Sequence, residues 1–277
     1  MNRDWLSKEF GLEGQVAVLT GGSGVLGRSM ALGLARAGAR PVIVSRRLEA
    51  CQAVADEVKA EGGEAMAVAA DATDAETLER ATERIEAEFG PVEILVNGAG
   101  GGRAGASTSP SQSFFDLDLE AVSQVVNLNF MGAFLACRAF GRGMARRGRG
   151  VIINVTSMTA TRPLSRVAAY GAGKAALANF TQWLAAHMAQ EHSPHIRVNG
   201  IAPGFFPARQ NNALLFDEAT GGLTERGERI IAHTPMGRFG EPDELMGTLI
   251  WLASPASAFV TGIVVPVDGG FQAYSGV

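Results

Sequence analysis

Tyr170 and Lys174 stand four residues apart in an apolar, helix-forming stretch, which puts a phenol and an amine on one face, one turn apart. The chain has 2 tyrosines and only three lysines, so a chance Tyr-x-x-x-Lys is expected at roughly two per cent. The surrounding Gly171-Ala172-Gly173-Lys174-Ala175-Ala176 is built of small residues that let a backbone or a ligand come close. A free phenol, with a pKa of about 10, is poorly matched to neutral proton transfer, and a neighbouring cation is one way to correct this. The alternative is a helix-surface pair without chemistry. Ser157 lies thirteen residues before Tyr170, at the carboxyl end of an apolar run, Val151–Val155. That is the end of a parallel strand where open α/β sheets bind ligands, although a loop hydroxyl would look the same.

A second group of residues has the chemistry of phosphate binding. Gly22, Gly24 and Gly27 satisfy G-x-G-x-x-G within Thr20-Gly21-Gly22-Ser23-Gly24-Val25-Leu26-Gly27, between a strand pattern and a helix pattern. A pyrophosphate there needs a tight turn, close backbone approach and helix N–H groups aimed at it. An ordinary glycine-rich turn is the competing reading. The next strand pattern ends in Ser45-Arg46-Arg47 where an NAD site places an acid on the ribose 2′-hydroxyl. Without that acid, Arg46 or Arg47 can pair with a 2′-phosphate, so NADP(H) is favoured and NAD(H) remains possible. Both arginines would also be at home in solvent. Asp71, with Ala72 after it, follows the third strand pattern and suits the adenine amino group, whereas Asp74 is the better helix N-cap.

The elements that must position these groups alternate along the whole chain. Seven apolar runs read as strands: Gln15–Leu19, Pro41–Val44, Ala65–Ala69, Glu93–Val96, Val151–Val155, Ile196–Ile201 and Gly262–Val267. Between them Val25–Ala37, Leu48–Ala60, Asp74–Phe89, Leu117–Arg146, Arg166–Gln190 and Pro242–Leu252 have helical periodicity, the last opened by Glu241-Pro242-Asp243-Glu244. The pattern predicts one α/β domain over residues 1–277, a Rossmann-like doubly wound parallel sheet of seven strands with helices on both faces. The longest irregular stretch, Pro203–Leu223 within a segment of about 203–235, is expected to be a substrate loop. Phe130, Phe134, Phe180 and Trp183 are expected in the core.

Composition narrows the partners. A hydrophobic share of 47% supports a large core, and a net charge of −4 without a basic stripe argues against nucleic acid. Two cysteines, Cys51 and Cys137, imply no disulfide framework and fit a reducing compartment. No signal-peptide core and no apolar run of bilayer length is evident, so a cytoplasmic protein without a membrane partner is expected. No metal site is expected.

With these residues in place, the chain resembles the short-chain dehydrogenase/reductase family over its whole length. The glycine-rich turn, Asn97-Gly98-Ala99-Gly100, Asn129, Ser157 with Tyr170-x-x-x-Lys174, Ala202-Pro203-Gly204 and Val267-Asp268-Gly269-Gly270 occur in the family's order and spacing. The resemblance implies a dinucleotide held by Gly21, Gly22, Ser23, Gly24, Val25, Leu26, Ser45, Arg46, Arg47, Asp71, Ala72, Asn97, Gly98, Ala99, Tyr170, Lys174, Pro203, Gly204, Phe205 and Phe206. It implies Tyr170 as general acid or base, Lys174 as the cation that lowers its pKa and bonds the nicotinamide ribose, Ser157 on the substrate oxygen and Asn129 holding a relay water. Three positions depart from the pattern. Val25 replaces the middle glycine, Gly98 replaces a second asparagine, and Ala208 stands where a threonine often bonds the carboxamide. Backbone at Phe205 and Phe206 is expected to compensate.

Finer segments, among them Phe114-Phe115-Asp116-Leu117-Asp118, Arg162-Pro163-Leu164-Ser165-Arg166, Pro203-Gly204-Phe205-Phe206 and the tail Gly269–Val277, resemble the D-mannonate oxidoreductase (fructuronate reductase) branch. A sugar-acid substrate would suit Arg103, Arg162, Arg166, Arg209 and Asn211, each arginine being equally suited to a surface ion pair. The resemblance also implies a homotetramer or homodimer. Rival readings are a gluconate 5-dehydrogenase-like or 3-oxoacyl reductase-like enzyme, and a non-catalytic dinucleotide-binding sensor, which would need none of the Ser/Tyr/Lys/Asn set.

Overall fold

The computed structural model describes residues 3–208, 212–217 and 220–276. Seven strands run parallel in one sheet: β1 Val16–Thr20, β2 Arg40–Ser45, β3 Met66–Ala69, β4 Val92–Asn97, β5 Gly150–Val155, β6 Ile196–Pro203 and β7 Val264–Val267. Their order is β3-β2-β1-β4-β5-β6-β7, so the winding reverses between β1 and β4 and opens a crevice at their carboxyl ends.

The strands are nearly continuous Val/Ile/Leu because both faces are covered. Along β1, Ala17 and Leu19 face one core while Val16 and Val18 face the other. The first core takes α2 (Val25–Arg36), α3 (Leu48–Ala60) and α10 (Met246–Ala253) through Leu34, Val54, Leu249 and Leu252. The second takes α4 (Ala75–Glu88), α6 (Gly132–Arg147) and α7 (Ala168–Glu191) through Ile85, Phe140, Leu177 and Leu184.

The expected strands are present with ends shifted by one or two residues. The helix expected over Leu117–Arg146 is α5 (Leu119–Val126), a π-helical turn Asn127–Met131, and α6 in one continuous run. Leu119–Arg147 is also long and apolar enough, by length and composition, to cross a membrane, contrary to the sequence expectation. Here α6 packs on α4, β4 and β5 as a core helix of the sheet. Trp183, expected in the core, is 56% exposed, because α7 turns that face outward, while Phe180 beside it is buried.

Three helices were not legible as such: α1 (Arg3–Phe10), the single turn α8 (Asn212–Leu215) and α9 (Glu225–Ala232). The segment expected to be an irregular loop therefore includes structured helix, and α9 is capped by Thr224, whose hydroxyl accepts the Gly227 N–H at 3.0 Å. The start expected at Glu241 is a reciprocal capping box with Glu244, and it opens a 3₁₀ turn, Pro242–Leu245, that leads into α10.

Candidate active site

Gly21 ends β1 at φ +68°, a left-handed conformation, with the Ala99 backbone only 2.7 Å from where a Cβ would lie. A Cβ on Gly27 would stand 2.3 Å from the Gly21 carbonyl oxygen, so the helix can approach the strand this closely only with glycine there. Gly24 is the extended N-cap of α2 and offers no side chain to its first N–H groups. The bare turn and uncapped helix start fit a pyrophosphate. Val25 is 40% exposed, whereas Leu26 packs into the core and can offer only backbone.

At the ribose end the Ser23 hydroxyl donates to the Ser45 hydroxyl at 2.9 Å, and Cys51 Sγ lies 3.0 Å from the same oxygen. Arg46 and Arg47 are exposed next to it, without a carboxylate at the end of β2. Burial pushes the Asp71 carboxyl up, but the N–H and hydroxyl of Thr73 and the charge of Arg46 outweigh it, so it lies below its ordinary value. Thr73 occupies Asp71 Oδ1 alone, at 2.9 and 2.7 Å. Asp74 is the N-cap of α4, as expected, and Ala72 backs against Gly132.

Asn97 ends β4. Its side chain is buried and points into the sheet, donating to Asn154 Oδ1 at 2.9 Å and contacting Cys137 Sγ at 3.2 Å. Asn154 in turn donates to the Thr181 hydroxyl at 2.9 Å. This chain of amides ties β4 and β5 to α7, so Asn97 can meet a dinucleotide only through its backbone. Gly98 and Ala99 return to β1, Gly98 through its N–H to the Thr20 carbonyl at 3.0 Å.

The reacting groups converge at the end of β5. Ser157 is 7% exposed, its hydroxyl accepts the Thr159 N–H at 3.2 Å, and the Tyr170 hydroxyl from the first turn of α7 comes close enough for Ser157 to act on its pKa. Burial raises the Tyr170 pKa, and the Ser157 hydrogen bond works against that rise. Lys174, 3% exposed, donates from Nζ to the Val155 carbonyl at 2.8 Å, and burial alone lowers its pKa to about 8. Its ammonium stands 5.7 Å from the Tyr170 ring centre. Ser157 thus works to lower the Tyr170 pKa, and Lys174 keeps its ammonium fixed on the strand beside the phenol.

Asn129 sits in the π-helical turn, fully buried. Its amide donates to the carbonyls of Gly101 and Val125, both at 2.8 Å, and its Oδ1 accepts the Gly101 N–H at 3.2 Å. The Asn129 Oδ1 therefore keeps one lone pair for a relay water. A Cβ on Gly100 would lie 2.7 Å from Asn129 Oδ1 and 3.0 Å from Lys174 Nζ, so glycine there leaves room for both side chains.

After β6, Pro203 pairs with Val267 and the Gly204 N–H bonds the Val267 carbonyl at 2.9 Å. The Phe205 carbonyl accepts the Gly240 N–H at 2.9 Å and is therefore engaged, while Phe206 is buried. One lone pair of that carbonyl is used in this way and the other remains for the expected compensation for Ala208.

The substrate candidates separate. Arg103 is exposed at the start of a short 3₁₀ turn. Arg162 is spent on the C-terminal segment, donating to the Gln272 carbonyl at 3.1 Å. Arg166 lines a cleft of about 440 Å³ together with Ser165, Phe205, Arg226, His233 and Phe271. Arg209 and Asn211 lie outside the described residues. Sequence reasoning missed Arg226, since no motif singles it out before α9 is known to fold back over the cleft.

A parallel sheet with a glycine-rich turn at its switch point, and a Ser–Tyr–Lys set at the end of β5, define a nicotinamide-dependent alcohol oxidoreductase. The chain belongs to the short-chain dehydrogenase/reductase family: the short chain dehydrogenase model matches residues 15–218. It is 50% identical over 275 residues to UxuB, an uncharacterised oxidoreductase of Bacillus subtilis (strain 168), covering 96% of this chain and 98% of that one. A candidate D-mannonate oxidoreductase from Haemophilus influenza, solved with NAD bound, superposes with a TM-score of 0.91 at 41% identity, covering 98% of this chain and 100% of that one. A gluconate 5-dehydrogenase from Burkholderia cenocepacia J2315, solved with NADP and tartrate, superposes with a TM-score of 0.86 at 34% identity over 97% and 99% of the two chains.

Proposed function

We propose that this chain interconverts D-fructuronate and D-mannonate, or a closely related keto-sugar acid and its alcohol, with NADP(H) favoured over NAD(H). The reading rests on one observation above the rest: Arg166, four residues before Tyr170, puts a guanidinium into the lining of a cleft that also holds Phe205 and Phe271. Sugar-acid substrates are the subject of similar proteins, and the cleft offers both a cation for a carboxylate and apolar rings, Phe205 and Phe271, for the carbon chain.

The bound nicotinamide would supply or accept the hydride. Ser157 positions the substrate oxygen and stabilises charge that develops on it. Tyr170 gives its hydroxyl proton to that oxygen in reduction and takes it back in oxidation. Lys174, fixed on the Val155 carbonyl, presents its charge beneath the Tyr170 ring, and Asn129 holds the Gly100–Gly101 backbone against it. The absence of a carboxylate at Ser45, with Arg46 and Arg47 exposed beside it, supports a 2′-phosphate.

The similarity to a gluconate 5-dehydrogenase keeps gluconate as the second reading. A panel of D-mannonate, D-gluconate and a simple secondary alcohol, each assayed with NAD and NADP, separates them. D-mannonate with NADP is expected to give the highest kcat/KM. Absence of turnover on every aldonate would remove the sugar-acid reading while leaving the family standing.

A further inference from the structure

Arg166 is the only non-glycine residue among those described with a positive φ, +76°. A residue with a Cβ pays of order 1 kcal/mol or more for this conformation and keeps it only where its surroundings fix it. Here the Arg166 carbonyl accepts the Thr108 N–H at 3.0 Å, which anchors the turn just before α7. The result is a guanidinium on the rim of the cleft, four residues before Tyr170.

Arg226 approaches from the opposite wall, in the first turn of α9. Its Nη1 donates to the Ser165 hydroxyl at 3.0 Å and its Nη2 faces the Ser165 carbonyl at 3.4 Å. Burial lowers its pKa, and the positive charge of Arg166 lowers it further, so the two cations are close enough to repel. The other basic residue of this helix turn, Arg229, is neutralised by Glu225 at 2.5 Å. Among the described residues neither Arg166 nor Arg226 has a carboxylate partner. Two guanidiniums held together without a counter-charge, one by a strained backbone and one by a neighbouring residue, form a site whose missing component is an anion.

We propose that Arg166 and Arg226 together form the subsite for the carboxylate of the substrate, with Arg226 the specificity-determining residue contributed by α9. The proposal rests on the sugar-acid reading above and deepens it. The carboxylate binds across the two forks, and the carbon chain runs over Phe205 and Phe271 towards the Ser157–Tyr170 hydroxyls.

The test uses the full-length enzyme and Arg226→Gln, Arg226→Lys and Arg166→Gln, with NADPH affinity by fluorescence titration as the check on folding. Hydrogen bonds to a charged group are worth about 1.5–3 kcal/mol, so Arg226→Gln is expected to raise the KM for D-mannonate about 10–100-fold, with kcat moved far less. Arg226→Lys keeps the charge and recovers part of the loss. A second arm needs no turnover: tartrate, a small dicarboxylate, is titrated calorimetrically onto the NADPH complex. Wild type is expected to bind it, and Arg226→Gln and Arg166→Gln to bind it at least about tenfold more weakly. An unchanged KM and unchanged tartrate affinity in Arg226→Gln would overturn this proposal while leaving the sugar-acid reading intact. A wild type that turns over no aldonate yet binds tartrate through Arg226 would support the anion subsite and sink the sugar-acid reading. No turnover together with tartrate binding that is absent or independent of Arg226 would overturn both.

Discussion

Tyr170 is asked to give up a proton from a position where burial opposes its ionisation, and the group that offsets burial is the Ser157 hydroxyl. Ser157 therefore has two roles, holding the substrate oxygen and setting the proton affinity of Tyr170. The sign follows directly. Removing a hydrogen bond that favours the phenolate raises the Tyr170 pKa, so the oxidation limb of the pH–rate profile, which rises as the phenol ionises, moves to higher pH. Ser157→Ala is expected to lower kcat by about 10²-fold or more and to shift that limb alkaline. A loss of rate without movement of the limb would confine Ser157 to the substrate. The identity of these residues was legible from type and spacing alone, since Tyr170 and Lys174 must share a helix face whatever surrounds them. Their electrostatics were not. That Lys174 is buried against Val155 O, and that Asn129 has turned its amide to the Gly101 backbone, depends on where strands β4 and β5 place their carboxyl ends.

At the scale of elements, the catalytic helix α7 is held by side chains that no motif would select. Asn97, Asn154 and Thr181 form a buried relay from sheet to helix. On the other face Arg197, buried in β6, donates to the carbonyls of Leu252 and Ser254 at 2.8 and 3.0 Å and to the Ser257 hydroxyl at 2.9 Å, and so closes the carboxyl end of α10. A guanidinium there satisfies helix carbonyls that otherwise lack partners. Arg197→Met removes those donors and is expected to cost roughly 2–4 kcal/mol in urea unfolding. A cost below about 0.5 kcal/mol, the range of ordinary surface substitutions, would show that water replaces the guanidinium. The strands were readable because parallel strands covered on both faces are continuous apolar runs. The helix α9 was not, since it is only 8 residues long and stands within the segment read as a substrate loop, and its apolar residue Ile230 finds its partner only in the folded chain. Its arginines were invisible for the same reason.

For the whole molecule, the winding order was predictable because alternating strand and helix patterns with right-handed crossovers leave few arrangements. The crevice between β1 and β4 then follows, with the glycine turn on one side and β5 with its Ser157 on the other. Cleft composition was only partly legible. Arg162, chosen for its place between Ser157 and Tyr170, is bound to the tail, whereas Arg226, fifty-six residues beyond Tyr170, lines the cleft. The central claim is that this crevice is a catalytic centre in which Tyr170 moves the proton. Tyr170→Phe measured for turnover and dinucleotide affinity on one preparation tests it most directly. The account predicts that kcat falls by about 10²–10⁴-fold while NAD(P)H still binds with wild-type-like affinity. Turnover within a few-fold of wild type in Tyr170→Phe would contradict it.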